Sequence, residues 1–536
     1  MPDAVGETQF TVDYRYLLER GGIGAVGDAR PDDRVESRMA EFDVRTAAGT
    51  VRGRVEDGLT VFRGIPFAEP PVGELRFLAP EPARAWDGVR EAFEFGPPPP
   101  QDMGSLGRPG AIVAAEGDDW LTVNVWTPDP AGRRPVLVWI YGGAYRLGFS
   151  GSPGYDARHI ARDGDLVVVS FNYRLGIEGF TQIEGAPANR GLLDQVAALE
   201  WVRDNIAAFG GDPGQVTIVG ESAGAGAVAA LLAMPSAAGL FRRAVAQSVP
   251  GVFLSPELGA DITTAIAAEL DLAPTVADLS TVDPRELTGA GAAMSANIIR
   301  HAGRWGQVAY SLSPFAPVVD GEVLPTTPWA ALAAGAARDV ELVVGHNRDE
   351  YRLFIALAGQ LGKIGAEDAE LALRVYGPGG DYRAAFPDAS AARLYELVHS
   401  DWLFRMPTLR LAQEQAAAGG RAFMYELTWQ SSGMGGELGA CHGLDGPLLF
   451  RTFDAHLGPL LIDPAAPEEA EALSARFRGA WTAFVATGDP GWPAYDDDQR
   501  LVQVFDTPSE VVPYPEETSR RLWEAHTFGA LPLLQG

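Results

Sequence analysis

Cysteine is almost missing from this chain. Cys441 is the single one in 536 residues, which excludes an intrachain disulfide and most thiolate metal sites. Lysine is as scarce: Lys363 stands alone, and every other basic side chain is an arginine. Basic charge is in deficit overall, with 42 Lys and Arg against 71 Asp and Glu, a formal net charge of −29. Such a surface repels phosphates, so neither nucleic acid nor an anionic membrane is an expected partner. No apolar run reaches the ~20 residues of a membrane-spanning helix, and none near the start resembles a secretory signal. A protein of the cytoplasm, monomeric or weakly self-associating, is the expectation.

Apolar residues are plentiful. They make up 46% of the chain, ample for a large core. Residues 1–38 are polar and acidic and are expected to form an extension; residues 39–536 are expected to form one folded unit. Within the extension, Gly22-Ile23-Gly24-Ala25-Val26-Gly27 formally fits G-x-G-x-x-G. No strand precedes it and Pro31 follows closely, so it reads as a loop rather than a dinucleotide cradle.

From about 42 to 63, alternating apolar and polar residues predict antiparallel strands. Leu121–Trp126, Pro135–Ile140, Leu166–Phe171 and Val216–Val219 are buried-strand runs, as are the shorter Ala244–Gln247, Val340–Gly345 and Ala422–Leu427. Leu192–Val202 carries apolar residues at helical spacing. Strands alternating with helices predict an α/β protein with a mainly parallel sheet covered on both faces. Two helical excursions are expected, at about 255–310 and 350–415, and a closing helix over 477–487. The proline run Pro97–Pro100 reads as a stiff spacer.

The chemistry centres on Gly220-Glu221-Ser222-Ala223-Gly224, which lies between the strand 216–219 and a run of small residues ending at Pro235. Strand, sharp turn and helix are the setting of a nucleophile elbow, which leaves a serine hydroxyl exposed at a helix N-terminus. Serine needs a base within reach, itself oriented by a third group. Of the histidines after Ser222, His442 lies in the glycine-flanked loop Gly439–Asp445 that follows the strand 422–427. The others sit in helical, apolar or C-terminal contexts. The acid is expected in the polar loop after the strand 340–345, where Asp349 and Glu350 both qualify; one of the two is expected to be a solvated neighbour. Tyr141-Gly142-Gly143-Ala144-Tyr145, directly after another strand, offers backbone amides for an oxyanion.

Together these stretches resemble the type-B carboxylesterases, the cholinesterase-like branch of the α/β-hydrolase fold, from about residue 43 to 530. The resemblance is carried by Phe62–Phe77, Tyr141–Gly148, Asn172-Tyr173-Arg174-Leu175-Gly176, Asn189–Gly224 and Pro317-Val318-Val319-Asp320-Gly321. It implies Ser222 as nucleophile, Glu350 rather than Asp349 as the acid, and His442 as the base. It also implies the amides of Gly143, Ala144 and Ala223 as oxyanion donors, with Ser248 behind the acid and Glu221 beside the nucleophile. It implies no metal and no organic cofactor.

The chain departs from the family pattern in three places. Ala144 replaces a glycine, Tyr351 follows the acid where glycine is usual, and a common early cysteine pair is absent, Trp120 standing at one of its positions. The expected activity is hydrolysis of small to medium carboxylic esters. The same residues would serve an amidase or carbamate hydrolase, and the fold also occurs as a non-catalytic binding module. Phe253, Trp305, Tyr310, Phe315 and Trp429 are candidates for a gorge lining or, equally, for core packing.

Overall fold

A computed structural model describes residues 40–101, 117–463 and 467–535. The acidic extension and its glycine-rich patch lie outside these residues. Among the described residues, thirteen strands form one sheet: β1 (Glu41–Arg45), β2 (Thr50–Glu56), β3 (Leu59–Pro66), β4 (Val89–Glu91), β5 (Thr122–Thr127), β6 (Arg134–Ile140), β7 (Val167–Phe171), β8 (Gly211–Glu221), β9 (Arg243–Gln247), β10 (Glu341–Asn347), β11 (Ala422–Leu427), β12 (Leu501–Phe505) and β13 (Glu510–Pro513). Their order is β1-β2-β3-β5-β7-β6-β8-β9-β10-β11-β12-β13, with β4 added beside β2. From β7 through β12 every neighbouring pair is parallel, while the pairs at either end are antiparallel apart from β2 with β4. The expected strands are all present; β4, β12 and β13 were not anticipated.

The central strands are buried along most of their length, as parallel strands covered by helices on both faces must be. This is the α/β-hydrolase fold. Helices Arg190–Asn205, Ala223–Ala233 and Pro467–Thr487 pack near the sheet's centre. The last helix ends where the chain predicts, at Gly488, which is left-handed (φ +80°) and donates its amide to Phe484 O. Both excursions are helical. The second contains Arg352–Leu357, Ala366–Tyr376, Ala391–Ser400 and Met406–Ala417, the last two joined by a π-helical turn, Asp401–Arg405. No helix among the described residues is long and apolar enough to cross a membrane.

Three strand ends position the polar loops of the molecule. Parallel β6, β8 and β10 end with Ile140, Glu221 and Asn347, and the loops beyond them open on the same edge of the sheet. Ligand sites in open α/β sheets lie at the carboxyl ends of the strands for this reason.

Candidate active site

Ser222 sits directly after β8 with φ +58° and ψ −125°, a conformation that costs an L-residue about 1–3 kcal/mol. The surroundings impose it. Its amide donates to Gln247 O at the end of β9 (2.8 Å), and its carbonyl accepts from Gly226 in the next turn (2.9 Å). The flanking glycines are sterically required. A Cβ on Gly220 would collide with the backbone of Gly224, and one on Gly224 with the carbonyl of Ile140. The next helix, Ala223–Ala233, is buried on all sides. Small residues let it enter the layer between strands, and its first amides have no partner within the helix.

His442 Nε2 lies 2.8 Å from Ser222 Oγ, and Nδ1 lies 2.6 Å from Glu350 Oε2. A carboxylate can only accept, so Nδ1 carries a proton, and in the neutral imidazole Nε2 faces the serine with its lone pair. Glu350 is fully buried. Its other oxygen accepts from Ser248 Oγ (2.6 Å) and the Asn347 amide (2.8 Å), and its carbonyl accepts from the His442 amide (3.2 Å). The sequence expectation for Ser222, Glu350, His442 and Ser248 therefore meets one continuous chain of hydrogen bonds.

Asp349 corrects the expectation of a solvated neighbour. It is buried and ion-paired to Arg348, Arg352 and Arg393 at 3.0–3.2 Å. Burial pushes its carboxyl upward, and the three guanidiniums outweigh that and hold it below the usual range. One oxygen also accepts from the Ala440 amide (3.1 Å), and its own amide donates to Ala440 O (2.9 Å). Asp349 thus clips the acid loop to the histidine loop. Tyr351 needs no glycine-like backbone, having φ −74°. Its ring stacks on His399 at 4.1 Å and leaves the Glu350 contacts intact.

The loop Tyr141–Tyr145, expected to offer amides to an oxyanion, lies against the elbow. A Cβ on Gly142 would stand 2.9 Å from Ser222 Cβ, and one on Gly143 would run into the carbonyl of Leu147. Gly143 has φ +112°, Ala144 φ +54° and Tyr145 φ +59°. The last two are L-residues in the left-handed region, at a cost of about 1–2 kcal/mol each. Hydrogen bonds offset this. Gly143 O accepts from Arg146 (3.1 Å) and Leu147 (3.0 Å), Tyr145 O from Gly176 (2.7 Å), and Tyr141 O from the Tyr173 hydroxyl (2.6 Å). The Arg174–Asp194 pair, fully buried at 2.7 Å, fixes the segment that supplies Tyr173 and Gly176.

Glu221 faces the imidazole rather than solvent, its Oε1 3.2 Å from His442 Nε2. Burial alone would drive the imidazole down. Glu221, Glu350 and Asp445 outweigh it and hold the His442 pKa up, at about 9. Burial pushes the Glu221 carboxyl up to about 8, opposed by His442 and reinforced by Asp445 and Glu350. Glu221 is thus the largest charge acting on the imidazole, although its Oε1 makes no hydrogen bond of its own.

Sequence reasoning did not find the rings around the base. Phe404 lies nearly parallel to the His442 imidazole at 4.3 Å, and Phe354 flanks it at 5.1 Å. Phe354 was accessible in principle, one helical turn after Glu350 on the acid's own loop-to-helix junction. Phe404 was not, because the π-turn sets its direction. Asp445, three residues past His442, is fully buried and accepts from Gln247 Nε2 at 2.6 Å. Of the proposed gorge aromatics, Phe253 packs on Trp329, Trp305 stacks on His301 and Trp429 donates to Glu469; Phe315 borders a cavity beside Arg146 and Leu147. Among the described residues, no group of three or more His, Cys, Asp or Glu could hold a metal ion.

The carboxylesterase family model matches residues 40–375 and 380–523. The chain belongs to the carboxylesterase family. It is 35% identical to para-nitrobenzyl esterase of Bacillus subtilis over 90% of this chain and 98% of that protein. It is 36% identical to phenmedipham hydrolase of Pseudarthrobacter oxydans over 87% of this chain and 95% of that one. Among solved structures it is similar to the carboxylesterase Est55 of Geobacillus stearothermophilus, with a TM-score of 0.78 and 36% identity over 90% of this chain and 99% of the other.

Proposed function

We propose that this carboxylesterase hydrolyses small to medium, short-chain or aryl carboxylic esters through an acyl-enzyme on Ser222. The observation that carries the reading is the unbroken line from Ser222 Oγ through His442 to the buried Glu350. His442 Nε2 takes the Ser222 proton as Oγ attacks the ester carbonyl, and Glu350 holds the tautomer and balances the imidazolium charge. The amides of Gly143, Ala144 and Ala223 bind the oxyanion; losing one such donor typically costs about 2.7–4 kcal/mol. The imidazolium then protonates the departing alcohol. Water enters, gives its proton to the same nitrogen, and releases the acid. Every proton moves through one atom, so no cofactor is called on. Residues 39–536 act as one catalytic unit in this reading, and the lone cysteine suits a reducing cytoplasm.

Hydrolysis of p-nitrophenyl acetate, butyrate, octanoate and palmitate by wild type and Ser222→Ala tests this. Turnover falling with chain length and lost by about 10⁴-fold or more in the variant is expected. A folded wild type silent on every ester would overturn it. A second reading, carbamate hydrolysis on the same residues, is favoured by the similarity to phenmedipham hydrolase. Parallel assays on an aryl ester and its matched N-aryl carbamate separate the two.

A further inference from the structure

Ser313 reaches the oxyanion loop from just beyond the first helical excursion, and no step of the ester hydrolysis uses it. Its Oγ donates to Ala144 O at 3.1 Å and accepts from the Phe315 amide, also at 3.1 Å. A serine hydroxyl has one proton. With the Phe315 amide on a lone pair, that proton is committed to Ala144. We propose that Ser313 is a positioning residue for the oxyanion loop, holding the peptide unit directly after Ala144 and through it the turn that presents the Gly143 and Ala144 amides; this rests on the serine-esterase reading.

The geometry supports it in three ways. First, Ala144 and Tyr145 follow each other with left-handed φ, and in such a turn carbonyls point one way and amides the other, as in any helical turn. The Gly143 carbonyl shares its peptide plane with the Ala144 amide, and fixing the Ala144 carbonyl holds the next plane, so the turn cannot rotate about Ala144. Second, the three successive carbonyls of this loop are all held. Those of Gly143 and Tyr145 are held by backbone amides, and that of Ala144 by the Ser313 side chain. Only the middle anchor depends on a side chain. Third, Ser313 stands on a fixed support. Ser311 Oγ shares its one proton between Val308 O (2.8 Å) and Ser313 O (3.0 Å), and Asn189 at the start of the helix Arg190–Asn205 bonds Val318 in both directions (2.8 Å each). Leu254 donates to Pro317 O (2.9 Å). Ser313 is 8% exposed, so water does not readily replace the bond.

The test compares Ser313→Thr with Ser313→Val, which have nearly the same shape and differ in the hydroxyl. Both are assayed on p-nitrophenyl butyrate and with an aryl trifluoromethyl ketone. In that adduct Ser222 Oγ bonds to the ketone carbon, the Ser222 proton passes to His442, and the ketone oxygen becomes the oxyanion. Ser313→Thr is expected to keep wild-type kcat. Ser313→Val is expected to lose about 3- to 10-fold in kcat with KM unchanged, the range given by one neutral hydrogen bond. Its inhibition constant for the ketone should rise by the same factor. Equal kcat and equal ketone affinity in the two variants would overturn the proposal. So would a Ser313→Val defect confined to KM and Tm, which would make Ser313 a packing residue. A wild type no more active than Ser222→Ala would instead strike the esterase reading, and this proposal would fall with it.

Discussion

The elbow around Ser222 and the surroundings of His442 are built in opposite ways. At the elbow, strand, nucleophile and helix are consecutive in the chain. Each constraint acts over a few residues: a β-branched run, two glycines that admit no Cβ, and a helix of small side chains. The imidazole, by contrast, is held by groups gathered from the whole second half and beyond. Glu350 is 92 residues away and Ser222 220, and Phe354, Phe404, Glu221 and Asp445 complete its surroundings. The nucleophile is strained and local, while the base is relaxed and collective. Backbone strain can be encoded in five residues, but a proton-holding environment needs charges and rings from several elements packed around one ring.

Substitutions on the two sides test that contrast. The largest effect is expected from Glu350→Gln on the collective side. A glutamine amide donates to Nδ1 and so reverses the tautomer, and kcat should fall about 10⁴-fold while the fold is kept, read by ester turnover beside circular dichroism. A loss of only tenfold would mean that Asp445 or Glu221 can orient the ring instead. Next is Gly142→Ala on the local side. Its methyl would stand 2.7 Å from Glu221 O and 2.9 Å from Ser222 Cβ, forcing loop and elbow apart. A loss of about 10²-fold in kcat/KM is expected, since displacements near 1 Å reach that size. An unchanged rate would show the elbow to be looser than its glycines imply.

The smallest effect joins the two sides. In the proposed mechanism activity rests on neutral His442, so it should rise with pH through the apparent pKa of the imidazole. Glu221→Gln removes the largest charge holding that pKa up. The acidic limb of kcat/KM should therefore move to lower pH, by about one unit or more. An unmoved limb would show that Glu221 carries no charge over that pH range.

The legible part of the site follows this division. Ser222, Glu350 and His442, with the loop at Gly143 and Ala144, lie where strand ends meet glycine-rich or polar turns, and such turns have a sequence signature. The choice between Asp349 and Glu350 came from resemblance, because two adjacent carboxylates look alike in a loop. The expectation that one of the pair is solvated failed because the three arginines around Asp349 are contributed by the acid loop, its following helix and the helix Ala391–Ser400. The strands β12 and β13 escaped notice because they are short and only partly buried, with weak alternation.

By itself, then, the chain order determined the alternation of strands and helices, the elbow and the loops that carry the reacting groups. Periodicity, glycine and small residues act within a few positions and do not need the rest of the molecule. Tertiary structure alone decided which aromatic rings face His442, that Glu221 lies against the imidazole, that Asp349 is clamped, and that Ser313 meets Ala144. Those depend on where distant backbones cross at the edge of the sheet, and on burial, which assigns a carboxyl its charge only after the surrounding water has been displaced.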